Sequence, residues 1–245
     1  MKKRPAFSLI ELIVATCITG FMALSLVTIY TTANRHMFQN FRSDKVKADV
    51  SLGMRAIRNA VGQATSIAEP TVNTTGTTLL ATTNIDHLTG CYPIRPFVPV
   101  TWHYFCTATV VDGTPPRSNI GLYYQTGDYA AGACSCPPTA SCTVPTPPLA
   151  ACTSGRRLAA YLTTASVFSR TFGDIPINDS LSVRVRLNSK WTPAGIATGA
   201  GASGLAASQR PVDYALDSIF SATRSANGPT TGGGCITVGG MMSCL

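Results

Sequence analysis

The sequence predicts an α+β protein: a long N-terminal helix, membrane-spanning in its first half, packed on an antiparallel, β-rich and disulfide-linked globular domain. Three observations predict it. Residues 7–33 form an apolar run with a single charge, and apolar residues then recur at helical intervals to about residue 66. The rest of the chain is low in charge, contains short alternating runs and holds every cysteine but one.

The apolar run is long enough to cross a bilayer. As a helix, residues 7–33 would extend about 40 Å at about 1.5 Å per residue, against a hydrocarbon core of about 30 Å. Lys2, Lys3 and Arg4 precede it and favour a cytoplasmic N-terminus, which leaves the C-terminal bulk of the chain outside the cytoplasm. A secretory signal peptide would have a shorter apolar core and an Ala-x-Ala-like site. A plain signal anchor is the remaining alternative.

Glu11 is the one charged residue between Phe7 and Ala33. A carboxylate inside a membrane is costly without a partner, so an intramembrane acid is a functional-site hypothesis by default.

Residues 34–68 are predicted to continue this helix as an amphipathic stem that ends near residue 66. The sequence turns charged here, but one face stays apolar at three- and four-residue spacing. The residues of that face are Val46, Val50, Met54, Ile57, Val61 and Ala64.

Residues 69–245 are predicted to form one β-rich globular domain. Its clearest strand candidates are Phe97–Cys106, Ile120–Tyr124, Val167–Phe172, Leu181–Leu187 and Val212–Phe220. Leu181–Leu187 alternates strictly, which is typical of a half-buried antiparallel strand. The Cys/Pro-rich segment 130–155 and the Gly-rich stretches 195–204 and 232–240 are predicted to be surface loops.

The chain has nine cysteines, and Cys17 lies in the apolar run. The other candidates for disulfides are Cys91, Cys106, Cys134, Cys136, Cys142, Cys152, Cys235 and Cys244. An even set in an exported domain favours up to four disulfides, but sequence cannot choose among the 105 possible connectivities. Zinc bound by Cys134, Cys136, Cys142 and Cys152 is the alternative, although the spacing lacks the paired Cys-x-x-Cys of common zinc sites. We predict no metal and no cofactor.

The first residues resemble the type IV prepilin signature: a short basic leader, a small residue, Phe7, Glu11 at the fifth position from Phe7, and an apolar helix. The resemblance implies a pilin fold, a leader of residues 1–6 cut between Ala6 and Phe7, and methylation of the new terminus at Phe7. Ala6 stands where most members have Gly. It also implies that Glu11 pairs with the terminal amine of a neighbouring subunit during filament assembly.

The same resemblance implies the partners and the location. The partners are a prepilin peptidase, the major pilin, other minor pilins and an inner-membrane assembly platform. The chain is expected as a single-pass protein of the bacterial inner membrane that is later incorporated into a pilus or pseudopilus. Cys235 and Cys244 resemble the terminal disulfide loop of many pilins.

Residues Ala48–Ala64 look like the corresponding helix of the PilW and pseudopilin J group. The function expected from this likeness is that of a minor pilin that helps to initiate, prime or cap a filament. A type II secretion pseudopilin J-like subunit is one alternative, and a pilus-tip adhesin or DNA-capture subunit is another. The arginines and lysines considered for DNA binding, with Trp191 or Tyr161 beside them, are Arg156, Arg157, Arg170, Arg184, Arg186, Lys190, Arg210 and Arg224.

We do not predict an enzyme. The three histidines, His36, His87 and His103, are far apart in the sequence and none lies in a recognised nucleophile or metal motif. Asp and Glu together number only 11.

Overall fold

The computed structural model describes residues 8–86, 92–95, 97–112, 117–130, 146–172, 175–176, 182–192, 211–222, 235–238 and 241–244. The chain divides into two units, Met1–Asp44 with Thr192–Pro211 and Lys45–Trp191 with Val212–Leu245. The helix α1, Leu9–Gln63, is continuous and contributes residues to both.

The strands that the structure describes all pair antiparallel. They are β1 Ser66–Glu69, β2 Thr75–Gly76, β3 Thr78–Thr82, β4 Ile85–Asp86, β5 Tyr92–Pro93, β6 Thr101–Asp112, β7 Arg117–Asp128, β8 Arg156–Leu162, β9 Phe168–Ser169, β10 Thr171–Phe172, β11 Ile175–Pro176, β12 Ser182–Trp191, β13 Val212–Ser221, β14 Cys235–Val238 and β15 Met241–Cys244. A short 3-10 turn covers Cys152–Ser154.

The main sheet has nine strands in the order β1-β3-β6-β7-β8-β12-β9-β2, and β13 pairs with β12. The hairpins β4–β5, β10–β11 and β14–β15 form separate two-stranded sheets. The α+β prediction is therefore confirmed at this level: a long apolar N-terminal helix and an antiparallel β-rich domain.

The second half of α1 packs on the main sheet through the predicted apolar face. Val50, Ile57 and Val61 are fully buried, and Phe105 and Leu122 of the sheet belong to the same core. Fully burying one such aliphatic side chain contributes about 1.5–3 kcal/mol. This burial, more than intrinsic propensity, stabilises a helix in a globular domain.

The helix ends three residues before the predicted position. At Thr65 the backbone N–H donates to the carbonyl of Thr82 at 2.8 Å, so the chain has left the helical hydrogen-bond pattern for the edge of β3. The strict alternation predicted for Leu181–Leu187 is confirmed from Val183 onward, because Val183, Val185 and Leu187 are fully buried while Arg186 is exposed; Ser182 is also buried and breaks the pattern.

A second, smaller core covers the other face of the sheet. Leu80, Trp102 and Tyr129 are buried there together with Ile85 and Val100. Side chains alternate across a strand, so neighbouring residues such as Leu79 and Leu80 enter different cores. Apolar side chains are thus buried on both faces of the sheet near β3 and the start of β6, whereas β12 has Arg186 exposed on its other face.

At Gly53, α1 packs tightly against side chains of the sheet. A Cβ added there would lie 3.1 Å from Leu122 Cδ2 and 3.2 Å from Leu187 Cδ1, whereas one added at Gly62 meets nothing within 4 Å. Both substitutions to Ala gain up to about 1 kcal/mol of helix propensity. We expect Gly62→Ala to stabilise the fold, and Gly53→Ala to destabilise it by about 1 kcal/mol because the two leucines must move.

Denaturant unfolding of the full-length chain in detergent measures this difference. Tryptophan fluorescence reports the transition, since Trp102 is buried in the sheet domain. Equal stabilisation by the two variants would show that the two leucines move aside without lowering the free energy of unfolding.

Candidate functional site: the first turn of the apolar helix

Glu11 lies in the first turn of α1 and caps it. The Ser8 backbone N–H donates to Glu11 Oε2 at 3.0 Å, and the Ser8 hydroxyl oxygen accepts from the Ile10 N–H at 3.3 Å. This reciprocal arrangement is a capping box, in which a Ser or Thr and a Glu or Gln three residues later satisfy free backbone N–H groups. The positive end of the helix dipole also favours a carboxylate here.

Our sequence interpretation treated Glu11 as a lone charge and missed the cap. The signal is present, because Ser8-x-x-Glu11 directly precedes the apolar run. The cap uses Oε2 only, and Glu11 Oε1 makes no hydrogen bond within the part of the chain that the structure describes. A carboxylate oxygen can accept more than one hydrogen bond, so the cap leaves acceptor capacity at Glu11. The predicted cleavage residues Ala6 and Phe7 lie outside the described residues.

The surface of α1 around this carboxylate is apolar and uncovered. Every residue from Ser8 to Ala33 is exposed, and exposed apolar side chains continue to Phe41. Contiguous apolar surface of this size is unusual on a soluble monomer and marks a membrane or protein contact. Among the described residues, α1 is the one helix whose length and composition would allow it to cross a membrane.

Two of the eight candidate cysteines are bonded to each other in the described residues, Cys106 and Cys152, a pairing that the sequence left open. The disulfide links β6 to the 3-10 turn. Because the sulfur atom of Cys152 is bonded in this structure, it is not a free ligand for the alternative zinc site. The strand register places Cys235 directly opposite Cys244 in the β14–β15 hairpin, a position from which disulfides form, and their pairing stays a prediction.

The remaining cysteine candidates, Cys91, Cys134, Cys136 and Cys142, lie outside the described residues, as does most of the loop 130–155. Cys17 is a free, exposed thiol on α1. No group of three or more His, Cys, Asp and Glu side chains among the described residues is arranged to hold a metal ion.

The cationic side chains considered for DNA binding do not form one free surface. Arg170 is buried, and its Nη1 donates to the carbonyls of Ile67 and Pro70 at 3.1 Å each. Arg184 binds Asp217 through two hydrogen bonds of 2.8 and 2.6 Å, and Arg186 contacts the same carboxylate at 3.0 Å. The Arg184 and Arg186 guanidinium groups hold the pKa of Asp217 at about 2.

Of the other members of that set, Arg156, Arg157 and Lys190 are exposed, while Arg210 and Arg224 lie outside the described residues. Arg170 therefore does not belong to the DNA-binding patch considered as an alternative, because its side chain is buried.

His103 lies among hydroxyl groups on the face of β6 and β7. Its Nδ1 is 2.8 Å from the Tyr124 hydroxyl and 3.2 Å from Thr126 Oγ1. Burial lowers the pKa of His103 below its ordinary value of 6.5, an effect that the negative charge of Asp128 partly offsets. His36 is exposed, and His87 lies outside the described residues.

The lowered pKa of His103 predicts loss of stability on mild acidification. Below about pH 6.5 the unfolded chain binds a proton at His103 before the folded chain does, so this contribution is complete above 6.5 and is lost as the pH falls towards the folded-state pKa. We expect the melting temperature of the full chain to fall between pH 7 and 5, and His103→Gln to flatten that fall. An unchanged pH profile in His103→Gln would contradict the assignment.

Comparison of the chain with protein-family models, with curated proteins and with solved structures found no match. The candidate site is defined by its own residues: the Ser8–Glu11 cap and the exposed apolar helix that follows it.

Proposed function

We propose that this chain is a minor type IV pilin of the PilW or pseudopilin J kind. It is held in the bacterial inner membrane by α1 and enters a filament, where it helps to initiate, prime or cap assembly. The observation that carries the proposal is Glu11, the single charge on the exposed apolar surface from Leu9 to Ala33, held in the first helical turn and four positions after Phe7 in the sequence.

The position of Glu11 suits pairing between subunits. Cleavage after Ala6 would create an amine at Phe7, within a few residues of a carboxylate that keeps free acceptor capacity. In a bundle of apolar helices an ammonium and a carboxylate attract each other much more strongly than in water, and each is costly if left alone. Each incoming helix would then insert at the depth at which its Glu11 meets a neighbouring amine.

The second half of α1 supports the same function in a different way. Its buried face joins the helix to the main sheet, so force or displacement applied to the helix is transmitted to the domain through a packed core. This arrangement suits a subunit that is pulled out of the membrane by its helix while its globular domain stays folded.

Quantitative mass spectrometry of sheared, purified filaments tests the proposal. We expect this chain at a trace ratio to the dominant subunit, with an N-terminal peptide that begins at N-methylated Phe7. A chain that keeps Met1 in the filament would contradict processing at Ala6–Phe7. A near-equal or dominant ratio would contradict the minor role.

A further inference from the structure

The turn at Arg95–Val98 presents the most exposed large apolar side chain of the described residues. Phe97 is 99% exposed, and the next highest value, at Leu9, is 79%. Val98 beside it is 45% exposed and Arg95 is also exposed. The Val98 N–H donates to the Arg95 carbonyl at 3.2 Å and closes the turn.

The side chain of Asn84 holds this turn in place. Asn84 Nδ2 donates to the carbonyls of Arg95 and Val98 at 3.1 and 2.7 Å, and Asn84 Oδ1 accepts from the Arg95 N–H at 2.8 Å. The Asn84 carbonyl accepts a fourth hydrogen bond, from the Ile94 N–H at 3.2 Å. Asn84 is only 9% exposed and has a φ of 57°, a left-handed conformation that Asn tolerates better than most residues.

Both ends of the segment are anchored in the second core. Ile85 follows Asn84 directly, is fully buried and pairs with Pro93, and Val100 is 7% exposed. The hydrogen bonds to Arg95 and Val98, together with the buried residues on either side, therefore hold the described backbone of the turn in place. Among the described side chains of the turn, that of Phe97 is the most exposed.

We propose that Phe97 is an anchor for another protein, which receives its ring in an apolar pocket bordered by an Asp or Glu that pairs with Arg95. Interface hot spots are aromatic and Arg side chains seated in pockets, and preorganisation reduces the entropy lost on binding. The segment 92–100 contains Arg95 and no acidic residue, so the complementary rim is acidic.

A membrane surface fits this turn less well. Interfacial binding depends on buried apolar area over a broad face, whereas the turn offers one ring and a half-exposed Val. A fluid interface also does not require a backbone held by four hydrogen bonds. A second copy of the chain is a different occupant, which a cross-link between two copies would reveal.

Photo-cross-linking of the full-length chain in its own cells tests the proposal. The photoreactive residue p-benzoylphenylalanine replaces Phe97, and in a control chain it replaces Val111, which is 65% exposed. We expect position 97 to give one discrete adduct with another protein, at least tenfold more abundant than any from position 111. The cross-linked peptide should lie beside an Asp or Glu at an apolar pocket.

Charge reversal provides the decisive comparison. Arg95→Glu should lower the adduct yield at least tenfold, and changing the partner's acid to Arg should restore it. Asn84→Ala should also lower the yield, and Arg95→Glu keeps the test valid if Asn84→Ala disturbs the second core. Adducts with lipid alone, adducts with a second copy of this chain, no adduct, or a yield insensitive to Arg95→Glu would each overturn the proposal.

Discussion

Replacing Arg170 by Met should lower the free energy of unfolding of the sheet domain by about 2–4 kcal/mol. Arg170 is 2% exposed, and its Nη1 donates to the carbonyls of Ile67 and Pro70, which lie about 100 residues earlier in the chain. Met fills much of the same space but has no donor. Two carbonyls buried beside the start of the sheet would then lose a charged hydrogen-bond donor.

Arg184→Met is the matched control. Arg184 is also paired, with Asp217, but its side chain is 36% exposed, so solvent replaces the lost contact and stability should change little. Arg170→Lys adds a third comparison, because a single ammonium keeps the charge but lacks the rigid fork of a guanidinium. We expect Arg170→Lys to fall between wild type and Arg170→Met. Equal unfolding curves for Arg170→Met and Arg184→Met would contradict the buried role.

The buried position of Arg170 could not be predicted from the sequence, because its hydrogen-bond partners are distant in the chain. Nothing local in Phe168-Ser169-Arg170-Thr171 indicates burial, and the carbonyls that accept from it belong to β1 and the residue after it. The same holds for Cys106–Cys152, whose partners are 46 residues apart and whose pairing depends on the packing of β6 against the 3-10 turn. Charge and cysteine content are visible in a sequence, but long-range partners are not.

Elements with a regular period were predictable. The buried stripe of α1 and the alternation of β12 follow directly from side-chain geometry on a helix and a strand. Strand β8 was missed because Leu158, Ala159 and Ala160 are buried in succession and show no alternation.

The predicted strand Phe97–Cys106 was wrong at its start, since β6 begins at Thr101. Pro99 lacks a backbone N–H and therefore indicates that the strand is interrupted. A long-range contact also prevents an earlier start, because Asn84 Nδ2 donates a hydrogen bond to the Val98 carbonyl. The error hides the exposed position of Phe97, because the sequence interpretation assigns this aromatic residue to a strand.

Replacing Glu11 by Gln should reduce incorporation of the chain into filaments by about 100-fold or more. On the proposed function, the change leaves the amine of a neighbouring subunit without its partner in an apolar bundle, and removing one member of a buried ion pair costs about 3–5 kcal/mol. The measurement is the ratio of the variant to the dominant subunit in sheared filaments. The amount of the variant in the membrane is measured in parallel, to show that the chain is made and inserted.

The capping box makes this substitution selective. Gln serves at the third position of a capping box as Glu does, so Glu11→Gln keeps an acceptor for the Ser8 N–H and removes only the charge. Ser8→Ala does the opposite, because it removes the acceptor of the Ile10 N–H and leaves the charge of Glu11 in place. If Glu11 acts by pairing between subunits, Glu11→Gln is excluded from filaments and Ser8→Ala is incorporated normally. If only the capping box matters, Glu11→Gln is incorporated normally and Ser8→Ala is reduced, and the assembly role has to be abandoned.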